Sequence, residues 1–136
     1  SIDPVRYIGN RSSGKMGYAI AEQAVRMGAK VILVSAPTSL PIPSGVDFIS
    51  VDSAVSMQES VEARYNDVNV VIMAAAVSDF RVLHKAEQKI KKMESMTIEL
   101  VKNPDILQGL GSKKNHQILV RSLFLLYHLL YHLHLQ

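Results

Sequence analysis

The segment Gly9–Gly17 reads GNRSSGKMG and comes close to a phosphate-binding loop. The pattern of such loops is G-x-x-x-x-G-K-[ST], and here Met16 stands where a Ser or Thr would hold magnesium. Lys15 falls in the first turn of a predicted helix, where a cation opposes the helix dipole. A bound anion would reverse that sign, because a helix start offers free N–H groups. A serine cap followed by solvated cations fits the pattern equally well. The candidate anion-binding residues are Ser13, Gly14 and Lys15.

A second segment, Ala74–Arg81, reads AAAVSDFR and follows a predicted strand. Its three alanines leave room for a ligand to approach the backbone, and Asp79 could hydrogen-bond that ligand or hold a metal. The alternative is that the small residues pack under a helix and Asp79 makes a turn.

Basic residues concentrate in His84–Lys92, which reads HKAEQKIKK and contains four lysines. If this stretch is extended, Lys89 and Lys91 point to one side and Lys92 to the other. Such a loop could close over a polyphosphate and neutralise charge in a transition state. A solvated charge run is the alternative. The turn Val101–Pro104 adds another lysine, and Asn103 there is predicted to cap a helix.

Other chemistries find little support in the sequence. The chain has no cysteine, which excludes disulfides, thiolate nucleophiles and sulfur-bound zinc. No Ser-His-Asp set or carboxylate pair emerges. His128 and His132 have helical spacing but no acidic neighbour to favour a metal site.

The composition indicates one globular domain. The 136 residues are 48% hydrophobic and 20% charged, with a formal net charge of +3. This mild excess suits small anionic substrates. No basic stripe interleaved with aromatic residues supports nucleic-acid binding. We expect a cytoplasmic protein with no membrane span, since the segment 121–136 is too short and too polar for one.

Strands are predicted to alternate with helices along the chain. A helix runs from Ser13 to about Gly28, capped by Ser12 or Ser13 and closed by Gly28, with Met16 on its apolar face. The remaining predicted elements are strands at 30–35, 46–51 and 68–77, a helix from Asp52 or Ser53 to about Tyr65, an extended segment at 96–101, a helix at 103–111 with Asn103 as cap and Pro104 first, and a strand at 116–120.

This alternation predicts an α/β fold with a Rossmann-like, doubly wound, mostly parallel sheet in a three-layer αβα arrangement. Ligands of such sheets bind beyond the carboxyl ends of the strands. The segments Gly9–Gly17, Ala74–Arg81 and Lys85–Lys92 all fall there.

Five segments in this order resemble the phosphopantothenate–cysteine ligase family. They are IDPVRYIGNRSSGKMGYAIAE, VILVSAPTSLPIPSGV, AAAVSDFR, KIKK and LVKNPDI, and together they span about residues 2–120. The family domain is commonly the C-terminal half of a bifunctional coenzyme A biosynthesis protein. Its other half is an FMN-dependent phosphopantothenoylcysteine decarboxylase.

The resemblance implies amide formation in two steps. The carboxylate of 4'-phosphopantothenate attacks CTP, which gives an acyl-cytidylate and pyrophosphate. The amine of L-cysteine then displaces CMP. The resemblance also implies a homodimer and a magnesium ion bound with CTP, near Asp79.

The resemblance also implies roles for residues of this chain at positions that match the family's motifs. Asn10 would hold the acyl group and the cytidylate, and Lys89 would contact the triphosphate and assist activation. The nucleotide site would be lined by Met73, Ala74, Ala75, Asp79, Val101, Lys102, Asn103 and Pro104.

Two departures from the family pattern stand out. The family domain begins with a strand and a GGT turn that do not precede Ile2 here, so we expect a domain truncated at both ends, with residues 1–120 a partial ligase domain. Residues 121–136 read RSLFLLYHLLYHLHLQ instead of the family's GFAAET-like continuation. We interpret this tail as a translated frameshift, and the alternative is an amphipathic helix that pairs with a partner chain.

Two other functions compete with the ligase. A dinucleotide-binding oxidoreductase needs G-x-G-x-x-G after a strand, and Gly14 and Gly17 do not give that spacing. A non-enzymatic interaction fragment is the other alternative.

Overall fold

The structure is a computed structural model that describes residues 1–92 and 94–121. The predicted tail beyond Arg121, with His128 and His132, lies outside the described residues. The helices are α1 (Lys15–Arg26), α2 (Ala54–Glu62) and α3 (Ile106–Ser112). The strands are β1 (Val31–Ser35), β2 (Val46–Ser50), β3 (Val70–Met73), β4 (Phe80–Val82), β5 (Leu100–Lys102) and β6 (Ile118–Arg121).

Four of these strands form two parallel pairs. β1 pairs with β2 from Val31 opposite Val46 to Ser35 opposite Ser50. β3 pairs with β6 in the same sense, with Val70 opposite Ile118. Helix α2 connects β2 to β3, and α3 connects β5 to β6. The parallel pairs with these helices confirm the predicted Rossmann-like α/β fold. Within the described part of the chain the two pairs share no ladder with each other.

The antiparallel pair β4–β5 was not predicted as such. Phe80 lies opposite Lys102 and Val82 opposite Leu100. The extended segment expected at 96–101 pairs only through its end, and its partner β4 follows the alanine-rich loop directly. The third predicted strand is also shorter than expected, because the ladder of β3 stops at Met73.

One face of the two parallel pairs carries the main core. The buried residues are Val51, Met57, Tyr65, Ile106 and Leu110, and Val34, Ile49, Val71, Met73 and Leu119 pack against them. These side chains come from α2, α3, the turn after α2, and the strands of both parallel pairs with the residue that follows β2. The buried Tyr65 hydroxyl donates to the carbonyl oxygen of Leu110 at 3.0 Å, which joins the turn after α2 to α3.

Helix α1 covers the opposite face of β1. Successive side chains of a strand alternate in direction, so Ser35 points away from the core that Val34 contacts. The hydroxyls of Tyr18 and Ser35 are 3.2 Å apart, and Tyr18 and Ala21 are buried. The prediction that Met16 faces the core is wrong, because the residue is 42% exposed. The face that α1 buries is the one that carries Tyr18.

The observed helix ends can be compared with the predicted capping residues. α1 begins after Gly14, whose φ of 72° is left-handed, and neither Ser12 nor Ser13 caps it. Gly28, with a φ of 86°, ends α1 as predicted. Ser53 caps α2, as expected, by accepting from the backbone N–H of Ser56 at 3.1 Å.

The predicted caps of α3 are wrong. Asp105, and not Asn103, accepts from the backbone N–H of Gln108 at 3.0 Å, so α3 begins at Ile106, after Pro104. The side chain of Asn103 instead donates to the loop that follows β3. No helix in the described ranges is long and apolar enough to cross a bilayer.

Candidate functional site

The predicted segments meet where β3 ends. Asn10 donates from its side-chain nitrogen to the carbonyl oxygens of Ala76 and Val77, each at 3.3 Å. This residue is exposed, and both bonds are at the long end of the range. The amide therefore lies over the backbone that follows β3, with its polar face open to solvent.

The start of α1 reaches the same backbone. A Cβ built on Gly17 would lie 3.5 Å from the Cβ of Ala74, so the first turn of α1 packs against the first alanine after β3. That turn contains no acidic residue and no side-chain cap. Lys15 lies in it and is exposed. An anion placed here would meet the positive end of the helix dipole together with a lysine.

The turn Val101–Pro104 reaches the loop after β3 from the other side. The backbone N–H of Asn103 donates to the carbonyl oxygen of Asp79 at 2.7 Å, and its side-chain nitrogen donates to that of Ser78 at 2.8 Å. Arg81 donates to the carbonyl oxygen of Lys102 at 2.9 Å. Asn103 is buried, so its amide holds the loop in place and faces away from solvent.

The predicted lining residues differ in what they present to a ligand. Ala75, Asp79, Lys102 and Pro104 are exposed, while Ala74 and Val101 are half-buried. Met73 is also half-buried, and its side chain packs against the core.

Asp79 is the residue predicted to hold a metal. Its carboxylate is exposed, and its carbonyl oxygen is already used by Asn103. Residues 1–92 and 94–121 contain no group of three or more His, Cys, Asp or Glu able to hold a metal together. Magnesium is commonly held by one or two carboxylates together with substrate phosphates. A single exposed carboxylate therefore fits magnesium that arrives with a nucleotide.

The basic loop, defined as Lys85–Lys92, carries Lys89, Lys91 and Lys92 on the surface. The N-terminal segment holds it: the backbone N–H of Ile90 donates to Asp3 at 3.2 Å, and Arg6 donates to the carbonyl oxygen of Ile90 at 3.0 Å. The same segment continues to Asn10. It therefore links the basic loop to the backbone after β3.

Three residues of this arrangement were missed in the sequence. Asp3 and Arg6 hold the basic loop, and Arg81 supports the turn at Asn103. The signal for Asp3 was the Asp-Pro pair, because an Asp side chain readily accepts from the backbone N–H groups that follow it. Its two such bonds, from Val5 and Arg6, are both 2.8 Å long.

A shallow depression at the start of the basic loop is lined by Pro4, Lys85, Ala86 and Glu87. It includes none of the residues that meet at the end of β3, and it holds no cluster of ionisable groups beyond one lysine and one glutamate. The convergence at Asn10, Ala74 and Asn103 therefore remains the candidate site.

Two carboxyl groups bordering the site stay ionised to low pH. The guanidinium of Arg6 and the N–H donors of Val5, Arg6 and Ile90 hold the pKa of Asp3 far below its ordinary range, against the opposing effect of its burial. The backbone N–H of Gln108 and then Arg121 lower the pKa of Asp105.

The fold and these contacts define the class: a Rossmann-like α/β domain whose polar groups gather beyond the carboxyl end of a strand, where such proteins bind small molecules. The particular family follows from comparison. The family model of the DNA/pantothenate metabolism flavoprotein C-terminal domain matches residues 1–122. The chain belongs to that family, which confirms the resemblance found in the sequence.

Curated relatives are proteins named coenzyme A biosynthesis bifunctional protein CoaBC. The one from Vibrio vulnificus (strain YJ016) is 52% identical over 115 residues, which is 82% of this chain and 29% of the relative. The one from Bacillus subtilis (strain 168) is 51% identical over 122 residues, which is 88% of this chain and 30% of the relative. The chain thus spans less than a third of their length.

Solved structures agree with the fold. The crystal structure of the C-terminal domain of a CoaBC protein superposes with a TM-score of 0.76 at 49% identity, covering 88% of this chain and 56% of that one. The DNA/pantothenate metabolism flavoprotein from Streptococcus pneumoniae gives the same TM-score at 22% identity, covering 88% of this chain and 62% of that one. The second likeness shows the fold alone.

Proposed function

We propose that this chain is part of an enzyme of coenzyme A biosynthesis that joins 4'-phosphopantothenate to L-cysteine at the expense of CTP. The carboxylate of phosphopantothenate attacks the α-phosphorus of CTP, and pyrophosphate leaves. The amine of cysteine then attacks the acyl carbon of the acyl-cytidylate, loses a proton and displaces CMP. The 49% to 52% identity to CoaBC proteins supports this assignment.

The observation that carries the proposal is the position of Asn10. Its amide lies on the backbone of Ala76 and Val77, next to the uncapped start of α1. An acyl-phosphate mixed anhydride is polar and anionic, so an exposed amide beside a helix N-terminus suits it. Ser13, Gly14 and Lys15 would receive its phosphate.

The reaction requires alignment of the substrates and neutralisation of their negative charge, and it does not require a protein nucleophile. Both first-step substrates are polyanions. The basic loop supplies the cations, and Lys89 is the one we assign to the triphosphate of CTP. The loop of Ala74, Ala75 and Asp79, with Lys102 and Pro104 beside it, would contact the nucleotide.

Magnesium would be held by Asp79 and by the CTP phosphates, where it would offset the charge that pyrophosphate carries as it leaves. In the longer protein we expect a homodimer in the cytoplasm and, upstream, an FMN-dependent decarboxylase. We expect neither a nucleic acid nor a membrane as a partner.

The test follows labelled CTP. The chain is incubated with CTP, magnesium and 4'-phosphopantothenate, and pyrophosphate and acyl-cytidylate are measured before and after cysteine is added. Pyrophosphate release that depends on phosphopantothenate supports the proposal. The same assay is run on a longer protein that carries the flanking segments of the relatives.

Two results would count against the ligase. Binding of NAD without binding of CTP would favour a dinucleotide-binding oxidoreductase. No CTP turnover by either the chain or the longer protein would favour an interaction module.

A further inference from the structure

The carboxylate of Asp3 accepts hydrogen bonds at both oxygens, five in all. Its Oδ1 accepts from the backbone N–H groups of Val5 and Arg6, both at 2.8 Å. Its Oδ2 accepts from Arg6 Nε at 2.9 Å and from the backbone N–H of Ile90 at 3.2 Å. The side chain has no exposed surface, so these donors replace water entirely.

The two carboxylate oxygens of Asp3 bond to two different parts of the chain. Oδ1 closes a local turn within residues 3–6. Oδ2 reaches across 87 positions to Ile90 in the basic loop. Arg6 completes this connection by donating to the carbonyl oxygen of Ile90 at 3.0 Å, so both backbone groups of Ile90 are held by the same ion pair.

A second contact holds the basic loop further up the chain. The backbone N–H of Ala86 donates to the carbonyl oxygen of Ile2 at 2.9 Å. Lys89 lies between the two held positions and is adjacent to Ile90, with consecutive Cα atoms about 3.8 Å apart. The loop has no helix or strand of its own. These contacts therefore hold the backbone from which the lysines of the basic loop project.

We propose that Asp3 is a positioning residue that fixes the basic loop through Ile90 and thereby places Lys89 for the triphosphate of its nucleotide substrate. The proposal rests on the proposed function for the role of Lys89. The physical reason is that the side chain of an exposed lysine is long and flexible. Its ammonium can be aligned with a substrate phosphate only if the Cα atom of the lysine is held in place. Asp3 touches neither substrate nor reacting atoms in this role.

The ionised state of Asp3 suits it to this task. Its donors hold its pKa well below the ordinary range, so it remains a carboxylate at all pH values where the enzyme would work. Charge-assisted bonds to a buried carboxylate are stronger than neutral ones, and removing the acceptor would leave buried donors unpaired.

The first test is Asp3→Asn. The amide oxygen can replace Oδ1 and keep the local turn, but its nitrogen would then face the N–H groups of Arg6 and Ile90, which are donors as well. Because the chain contains no cysteine, a single Lys91→Cys substitution accepts a nitroxide spin label at one defined site. We expect Asp3→Asn to increase the mobility of that label. In the unlabelled protein we expect the KM for CTP to rise about tenfold, with a smaller change in the rate of the cysteine step.

Glu62→Gln is the matched control. Glu62 also accepts from a cation, Lys113 Nζ at 3.0 Å, but it lies on α2 away from the basic loop. This variant should leave both the spectrum at position 91 and the KM for CTP unchanged. An equal effect in Glu62→Gln would overturn the proposal, because it would show a general loss of stability.

A second pair of variants covers the case in which Asp3→Asn does not fold. Ile90→Pro removes the N–H that Asp3 accepts, whereas Ile90→Ala keeps it and loses the side chain. Only Ile90→Pro should mobilise the label and raise the KM.

The outcomes separate the two proposals. An immobile label in both Asp3→Asn and Ile90→Pro overturns the positioning role, and so does a mobile label with an unchanged KM. If neither the parent chain nor the longer protein turns over CTP, the proposed function fails by that result alone. The positioning role is then decided by the label and by equilibrium binding of magnesium–CTP, which must weaken in Asp3→Asn and not in Glu62→Gln.

Discussion

The side-chain amide of Asn103 donates to the carbonyl oxygen of Ser78 at 2.8 Å, across 25 positions of the chain. The backbone N–H of Asn103 donates to the neighbouring carbonyl oxygen of Asp79 at 2.7 Å. The loop that follows β3 is therefore held at two successive carbonyl groups by one residue. This arrangement makes Asn103 a structural support of the site, in contrast to the exposed amide of Asn10.

Asn103→Ala should destabilise the fold. It leaves the carbonyl oxygen of Ser78 without its donor in a partly buried position, and such losses cost about 1–3 kcal/mol. Urea denaturation followed by circular dichroism measures the change. Asn115→Ala is the control, since Asn115 is exposed and its side chain bonds to no described residue. An effect of Asn103→Ala no larger than the control's would contradict the supporting role.

Asn10→Ala, in contrast, should lower the activity and leave the stability of the fold nearly unchanged. Its two bonds are long and exposed, so the free energy of unfolding should change by less than about 0.5 kcal/mol. Formation or consumption of the acyl-cytidylate should fall by about a hundredfold, because a misplaced acyl group no longer aligns with its nucleophile. Single-turnover assays of each half-reaction measure this. Full activity in this variant would remove Asn10 from the site.

Gly14→Ala should destabilise the start of α1. Gly14 has a φ of 72°, and a Cβ there would lie 3.1 Å from Thr38 Cγ2. The left-handed conformation costs an alanine about 1–2 kcal/mol, and Thr38 would have to move as well. Gly109→Ala is the matched control: it lies within α3, and a Cβ there meets nothing within 4 Å. This second change should stabilise the protein by about 0.5–1 kcal/mol. The two melting temperatures should therefore move in opposite directions, and a shared direction would contradict the argument.

The sequence predicted the parts of the fold that depend on local pattern. The strand patterns at 30–35 and 46–51 and the capping signal at Asp52 or Ser53 were sufficient to place β1, β2 and α2 within a few residues. The start of α1 was misjudged because its N-cap is a left-handed glycine, and a serine next to it looked like the stronger signal. The apolar face of α1 was misjudged for another reason: Tyr18 reaches Ser35 and turns that side of the helix to the sheet.

The site was predictable as a set of segments but not as a set of contacts. The carboxyl-end rule placed Asn10, Ala74 and Lys89 at one edge of the sheet. No local pattern could show that Asn103 faces inward or that Asp3 reaches Ile90, since these bonds join residues 25 and 87 positions apart. Long-range hydrogen bonds of this kind depend on the finished packing.

Stability should fall steeply in acid. The pKa values of Asp3, Glu62 and Asp105 are all lowered in the folded state, by Arg6, by Lys113 and by the N–H of Gln108 respectively. A lowered carboxyl pKa stabilises the fold above the pKa of the unfolded chain, near pH 4, and this contribution is lost as the pH falls below it. The urea midpoint should therefore be flat from pH 7 to about pH 5 and decrease toward pH 3. Glu62→Gln should make the decrease smaller, and an unchanged slope in that variant would contradict the assignment.

Lys89→Gln should slow the activation step. Glutamine keeps most of the length of the side chain and removes the charge that we assign to the triphosphate, while the backbone remains held at Ile90. Loss of one such contact to a developing anion lowers the rate by about a hundredfold. We expect pyrophosphate release to fall by that factor, with the free energy of unfolding unchanged because Lys89 is exposed.

Lys114→Gln is the control, since Lys114 is also exposed but lies beyond α3, outside the basic loop. If both variants lose activity equally, the effect is one of net charge. If neither does, the cation that meets the triphosphate is another residue of the basic loop.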